Sequence, residues 1–300
     1  MNKIIIIAGP TASGKSALSI NIAKKLNSQI VSSDSMQIYK DMDIGTAKIK
    51  VDEMSNIKHH MIDIVNPQDD YSVADYADNA IKILDDMLKN NLIPIICGGT
   101  GLYIDSILYP LSMGVKDDTI REKLYSEYEA HGATYMHNKL KAIDSQEAEK
   151  VHKNNVKRVL RALEIYEISG KIKSDINDRK DLRYDTCLIV ISPNKADLYE
   201  QIDKRVDEMF SNGLEAEVKA LLNKGCTFDC QSMQAIGYKE FKNYFDGVYT
   251  IDQVKDEIKK NTRHYAKRQV TWFKRYPFAH FVLSNKDKKI NEIINDFIKE

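Results

Sequence analysis

What this chain has little of narrows it first. Neither sign of charge is in excess: 44 Lys and Arg stand against 44 Asp and Glu in 300 residues. No overall basic bias announces nucleic acid, and any such contact must come from local patches. There are only four cysteines, Cys97, Cys187, Cys226 and Cys230, too few and too scattered for a disulfide framework. Cys226 and Cys230 are close together, but a zinc site on them would need two further ligands that the sequence does not supply. Long apolar runs are missing as well. The isoleucines at 4–7 are far too few to span a bilayer, and the first residues carry neither a basic leader nor a cleavage site. No repeat shows at solenoid periods. The expectation is a soluble, cytoplasmic protein with reduced thiols, long enough to bury a real core and to hold an insertion.

What is present begins at Gly9-Pro10-Thr11-Ala12-Ser13-Gly14-Lys15-Ser16. It fits the phosphate-loop pattern of Gly, four residues, then Gly-Lys-Ser or Gly-Lys-Thr. With average residue usage such an octet arises by chance on the order of once per hundred chains of this length, and its context lowers that further. Residues 3–8 read as a buried strand, and Leu18, Ile22 and Leu26 recur every fourth residue as on the inner face of a helix. In the order strand, loop, helix, the glycines let successive N–H groups point into one concavity. The helix N-terminus adds its positive dipole end, and Lys15 supplies a mobile charge. Ser16 is placed to ligate Mg²⁺.

A second strand over residues 29–33 ends at Asp34-Ser35-Met36-Gln37. In open parallel sheets ligands gather beyond the carboxyl ends of strands, so Asp34 falls where chemistry is expected, although a strand-end carboxylate can also do no more than cap a turn. His59 and His60 are adjacent on a short strand and point to opposite faces, which makes them poor metal partners. A helix follows over 71–90, then a buried strand over 93–97 that ends in Gly98-Gly99-Thr100-Gly101. So many glycines demand a tight turn or a close approach, and Thr100 becomes a second candidate. Many phosphate-loop ATPases end the comparable strand with an acid for the magnesium shell; here Asp34 is the nearest acid in kind.

From about residue 111 to 185 strand-like runs give way to charged amphipathic helices, read as a helical insertion. Lys157, Arg158 and Arg161 lie opposite Val156, Val159, Leu160 and Leu163, a face that is either solvated or aimed at anions. The sheet resumes at 187–191. Asn194-Lys195-Ala196-Asp197 resembles the guanine-reading motif of GTPases, but no glycine in the chain has an aspartate three residues before it, so the terminal-phosphate sensor is missing and a helix start is expected instead. A long helix over 251–275 carries Arg263, Lys267, Arg268, Lys274 and Arg275 with interleaved Tyr265, Trp272 and Phe273. That pattern suits an RNA backbone and its bases, and equally a helix whose terminal charges complement its dipole.

Taken together, these motifs resemble the bacterial tRNA dimethylallyltransferase family, also called tRNA isopentenyltransferases. The likeness runs over nearly the whole length: the octet at 9–16, Ser-Asp-Ser-Met-Gln-Ile-Tyr at 33–39, Asp-Ile-Gly-Thr-Ala-Lys at 43–48, His60, and Gly-Gly-Thr-Gly-Leu-Tyr at 98–103. It continues through Arg-Ala-Leu-Glu at 161–164, Ile-Gly-Tyr-Lys-Glu at 236–240, and Arg263 leading to Ala-Lys-Arg-Gln-Val-Thr-Trp-Phe at 266–273. Asn155 departs from the Asp that relatives often carry before the Arg-rich helix.

The resemblance implies an α/β fold, a P-loop NTPase-like parallel sheet flanked by helices (residues 1–110 and 186–300), with an all-helical insertion domain (111–185) that contacts tRNA. The implied reaction moves a dimethylallyl group from dimethylallyl diphosphate to the N6 amine of the adenosine 3′ of the anticodon, without ATP hydrolysis. Residues 9–16 would bind the diphosphate, with Mg²⁺ on Ser16 as cofactor. Asp34 would act as base and Thr100 would orient the amine. Ser35, Met36 and Gln37 would line the base pocket, and Arg121 would touch substrate. Lys157, Arg158, Val159, Leu160 and Arg161, together with Gln234, Ala235, Ile236, Gly237, Tyr238 and Lys239, would grip the tRNA anticodon stem-loop. Arg263 and Lys267 belong to the diphosphate or to the RNA. A monomer with no membrane contact is expected. The competing expectations are an isopentenyltransferase acting on free adenine nucleotides, a small-molecule kinase, and a non-catalytic RNA-binding regulator.

Overall fold

A computed structural model describes residues 2–109, 117–175 and 181–299 of the chain. It divides into two compact units, Met1–Leu108 with Arg183–Glu300, and Tyr109–Leu182. The insertion boundary expected at residues 110 and 111 lies outside the described residues.

The first unit is built on one sheet. In chain order its elements are β1 (Lys3–Ala8), α1 (Lys15–Leu26), β2 (Ile30–Ser33), β3 (His59–His60), α2 (Val73–Lys89), β4 (Ile95–Gly98) and α3 (Gly101–Leu108). The second unit holds α4 (Asp118–Ile143), α5 (Ser145–Lys150) and α6 (Val156–Ser169). The first unit then resumes with β5 (Asp185–Ile191), α7 (Lys195–Ser211), α8 (Leu214–Asn223), α9 (Lys242–Phe245), α10 (Ile251–Phe273), β6 (His280–Val282) and α11 (Lys289–Lys299). The six strands run in the order β3-β2-β4-β1-β5-β6, and every pairing is parallel.

A central strand of a parallel sheet is covered on both faces, which is why β1 is an unbroken apolar run rather than an alternating one. Ile4 to Ile7 are wholly buried. Lys3, also buried, donates from Nζ to the Phe297 carbonyl at 2.6 Å and lies over the Phe297 ring. One core cluster joins β1, β4 and β5 to α1 and α11, through Ile5, Leu18, Ile95, Ile189 and Ile294 among others. A second joins the chain after β2 to α7, α8 and α10, through Tyr39, Val206, Val218, Tyr238 and Ile258. Among the described residues no helix is long and apolar enough to cross a membrane.

In the insertion unit, α4 bends at Gly132, the one residue inside it with non-helical angles. Leu124, Met136 and Leu140 from α4 pack with Val159, Leu160, Ala162 and Leu163 from α6. This corrects two expected RNA contacts, because Val159 and Leu160 are buried and cannot offer their side chains to a ligand. Asn155 stands at the N-cap of α6 without a side-chain cap bond. Asn194, by contrast, caps α7 by accepting from the Asp197 N–H at 3.0 Å, so Asn-Lys-x-Asp is a helix start here.

Candidate active site

Strand register assembles the site. Ala8 of β1 and Ser33 of β2 are both partners of Gly98 in β4. The residues that follow these three, the loop from Gly9, the turn from Asp34 and the turn from Gly99, therefore leave the sheet side by side at its carboxyl edge.

The loop from Gly9 to Ser16 is closed by Gly14, whose φ of 81° is left-handed and costs a glycine little. Thr11 N–H is spent on the Gln269 carbonyl oxygen at 3.0 Å, while Gln269 Nε2 donates to Gly99 O at 2.9 Å. The buried Gln269 of α10 thereby ties the loop to the end of β4. The N–H groups of Ala12, Ser13, Gly14, Lys15 and Ser16 make no such bond among the described residues. Lys15 Nζ donates to Pro10 O at 3.1 Å. Removal from water drives the Lys15 pKa below 10.5, and the positive charge of Arg205 adds to this, while Cys97 and Asp34 oppose it.

Asp34 Oδ1 accepts from the N–H groups of Met36 at 2.9 Å and Gln37 at 3.4 Å, which fixes the carboxylate and leaves Oδ2 without a hydrogen bond among the described residues. Thr100 is turned toward this acidic turn: its Oγ1 accepts from Ser35 N–H at 3.0 Å and lies 3.3 Å from Ser35 Oγ.

Lys15 and Asp34 open onto a cavity of about 280 Å³ and an adjoining one of about 80 Å³, which share Thr11, Lys15, Asp34, Thr46 and Arg205, while Thr100 lines neither. The larger has a cationic part at Lys15 and Arg205 and an apolar part at Ile202, Val206, Met209 and Ile258. The smaller takes in Ser16, Ser19 and Cys97. Arg205 Nε and Ser13 Oγ are buried with no hydrogen-bond partner. Burial depresses the Arg205 pKa, and the nearby Asp34 carboxylate works against that. Orphaned donors beside half-buried cations without an ion pair are what an anionic ligand would satisfy. The Ser16 hydroxyl opens on the smaller cavity and is the hard oxygen that would hold Mg²⁺.

Of the other expected residues, Ser35, Met36, Gln234, Ala235, Ile236 and Lys239 line the larger cavity. Gln37 lines the smaller, its amide donating to Thr46 O and Ala47 O. Tyr238 does not reach either: it is buried, its hydroxyl donating to Glu217 at 2.6 Å, so its side chain cannot meet RNA. Arg263 is also outside the cavities, paired with Asp203 at 2.6 Å; Lys267, exposed, lines neither. Arg121 lies in the insertion unit, paired with the buried Glu164 at 3.0 Å.

Sequence reasoning missed Arg205 and Gln269, and read Tyr265 only as an aromatic suited to RNA bases, not as a cavity residue. Each left one signal, a polar side chain at helical spacing from buried apolar ones: Arg205 three residues after Ile202, Gln269 four before Phe273, Tyr265 seven after Ile258. Burial, with the Asp34 charge second, pushes the Tyr265 hydroxyl up to about 12, so it stays a neutral donor at physiological pH.

The family described as IPP transferase matches residues 37–276. The chain belongs to the IPP transferase family. It is 46% identical over 300 residues to the tRNA dimethylallyltransferase of Caldanaerobacter subterraneus subsp. tengcongensis, covering 97% of this chain and 95% of that one. It is 47% identical over 275 residues to the tRNA dimethylallyltransferase of Bacillus subtilis, covering 90% and 87%. Among solved structures, the tRNA delta(2)-isopentenylpyrophosphate transferase of Staphylococcus epidermidis aligns with a TM-score of 0.73 and 40% identity, over 100% of this chain and 99% of that one. A eukaryotic dimethylallyltransferase acting on tRNA aligns with a TM-score of 0.87 and 29% identity, over 100% and 80%. The parallel sheet with its phosphate loop and flanking helices is thus the fold of this family.

Proposed function

We propose that the protein transfers the dimethylallyl group of dimethylallyl diphosphate to tRNA, at the N6 amine of the adenosine 3′ of the anticodon, releasing diphosphate. The observation that carries this is a single cavity holding half-buried cations without an ion pair, an apolar wall and a fixed carboxylate. Each meets one demand of the reaction. An allylic carbon becomes electrophilic as its bond to diphosphate loosens, so the charge gathering on the leaving oxygens must be stabilised. Lys15, Arg205 and the free N–H groups of Ala12 to Ser16 do this. The apolar wall of Ile202, Val206, Met209 and Ile258 takes the five-carbon chain and keeps water from the developing cation.

The exocyclic amine is a weak nucleophile because its lone pair is delocalised into the ring. Asp34, held through Oδ1, accepts the amine proton on Oδ2 as the new C–N bond forms. Thr100, whose Oγ1 accepts from Ser35 N–H, holds this turn and with it the orientation of the amine. Magnesium would be held by Ser16 and would supply further neutralisation of the diphosphate. The target base reaches the cavity by leaving its stack, with Ser35, Met36 and Ile236 around it. Lys157 and Arg158 of the insertion attract the RNA backbone. Four free thiols suit a reducing cytoplasm.

The test is to offer labelled dimethylallyl diphosphate together with unmodified tRNA or with AMP. Label on the adenosine 3′ of the anticodon is the expected result. Label on AMP alone overturns the tRNA assignment, and phosphoryl transfer from ATP with no prenyl product overturns the reaction.

A further inference from the structure

Residues 43–46 form a loop without helix or strand, yet Gly45 and Thr46 line the larger cavity. A loop at a reacting centre needs something to hold its backbone. Here that is one side chain from an element with no place in the site. Glu217, on α8, accepts from three successive backbone N–H groups: Asp43 at 2.9 Å and Ile44 at 2.7 Å on Oε2, and Gly45 at 3.0 Å on Oε1. Oε1 also accepts from the Tyr238 hydroxyl at 2.6 Å. The Tyr238 ring lies so close to Gly45 that a β-carbon there would collide with it. Four donors on two oxygens are what a carboxylate can take and an amide cannot.

We infer that Glu217, with Tyr238, is a positioning residue for the nucleic-acid substrate: it fixes the Gly45–Thr46 wall against which the adenosine is held. The inference rests on the transferase reading above. The clamp belongs to the base end because its second member stands among Gln234, Ala235, Ile236 and Lys239, which line the larger cavity only. The diphosphate end has its own supports, in Gln269 on Thr11 and Asn285 Nδ2 on Gly14 O at 3.2 Å.

Glu217→Ala leaves the three N–H groups without their acceptor, and Glu217→Gln turns an –NH₂ toward donors. Both are expected to lower kcat/KM for tRNA by about tenfold to a hundredfold, the cost of a misplaced reactant. The KM for dimethylallyl diphosphate should stay within about twofold, while the melting temperature falls by a few degrees for the donors left unsatisfied. Tyr238→Phe, which keeps the ring against Gly45, should lose only about two- to fivefold, one hydrogen bond's worth. Amide exchange at Ile44 and Gly45 should quicken in Glu217→Ala while exchange in the 9–16 loop is unchanged. Glu217→Gln with wild-type tRNA kinetics overturns the inference. So does an equal loss toward both substrates, which makes Glu217 a general stabiliser. A wild-type protein that prenylates no tRNA strikes the transferase reading instead, and the exchange measurement still reports on the clamp.

Discussion

Cations in the cavity and cations on the insertion unit carry the same charge in opposite circumstances. In the insertion, Arg121 and Arg161 share the buried Glu164 at 3.0 and 2.8 Å, Lys123 meets Glu167 at 3.1 Å, and Lys139 meets Glu127 at 2.6 Å. Lys157 and Arg158 of α6 are exposed. In the cavity, neither Lys15 nor Arg205 has an ion pair among the described residues, and burial depresses both pKa values. A charge matched by its own chain is already spent on structure, and one left in water costs little. A charge withdrawn from water without a partner destabilises the empty protein and is kept for a ligand.

The largest effect sought is at the cavity carboxylate. Asp34→Asn keeps the Oδ1 acceptor for Met36 and Gln37 but removes the base, so prenyl transfer should fall by roughly 10²–10⁴-fold, while tRNA affinity stays within a few-fold. Equal loss of both would make Asp34 a binding residue.

Next come the unpaired cations. Lys15→Met or Arg205→Ala should each slow turnover by roughly 10²–10³-fold, as removal of an electrostatic stabiliser does. The same Lys15→Met exchange should raise the melting temperature of the ligand-free protein by about 2–4 °C, because an unmatched half-buried charge is gone; a lower melting temperature would mean that Lys15 is structural. The pH dependence has a definite sign. The Lys15 pKa is lower in the folded chain than its unfolded value near 10.5, so between the two the unfolded state holds more protons. Stability of the empty protein therefore rises with pH through that window, and this contribution vanishes below the folded pKa. Diphosphate binding, which favours the cation, should take up protons in that window, measurable by calorimetry in buffers of different ionisation heat, and not in Lys15→Met.

Smaller still, Lys157→Ala with Arg158→Ala should weaken tRNA binding and flatten its log–log salt dependence by about 2, one for each lost phosphate contact. Saturating turnover should be unaffected. An unchanged salt slope would make that face a solvated surface. Lys123→Ala, which breaks an exposed internal pair, should move stability by no more than about 1 kcal/mol and leave tRNA binding alone; any larger loss of RNA affinity would erase the distinction between matched and unmatched cations.

The cavity was partly legible because its first half is local. The octet at 9–16 and Asp34 announce themselves at strand ends, where period and turn residues are read within a dozen positions. Their neighbourhood follows once β1, β2 and β4 pair in register through Gly98. Arg205, Tyr265 and Gln269 were not legible as site residues because they sit on the buried sides of α7 and α10, and Gln269 meets Thr11 across 258 positions of sequence. No local pattern encodes that contact. The opposite error arose at Val159, Leu160 and Tyr238, which the resemblance places among RNA contacts because their motifs are contiguous, although the helical spacing of Val159 and Leu160 already puts them on the apolar face; all three are buried. Glu217 was invisible for a related reason: its carboxylate serves backbone N–H groups, which every sequence has.

The central claim is that unpaired cations hold a departing diphosphate while Asp34 faces the incoming amine. A crystal structure with diphosphate and an anticodon stem-loop tests it most directly. The account requires the diphosphate within hydrogen-bond distance of Lys15 Nζ and the Arg205 guanidinium, and the extruded adenine amine within reach of Asp34 Oδ2. A diphosphate bound away from both cations, or an adenine turned from Asp34, would contradict it.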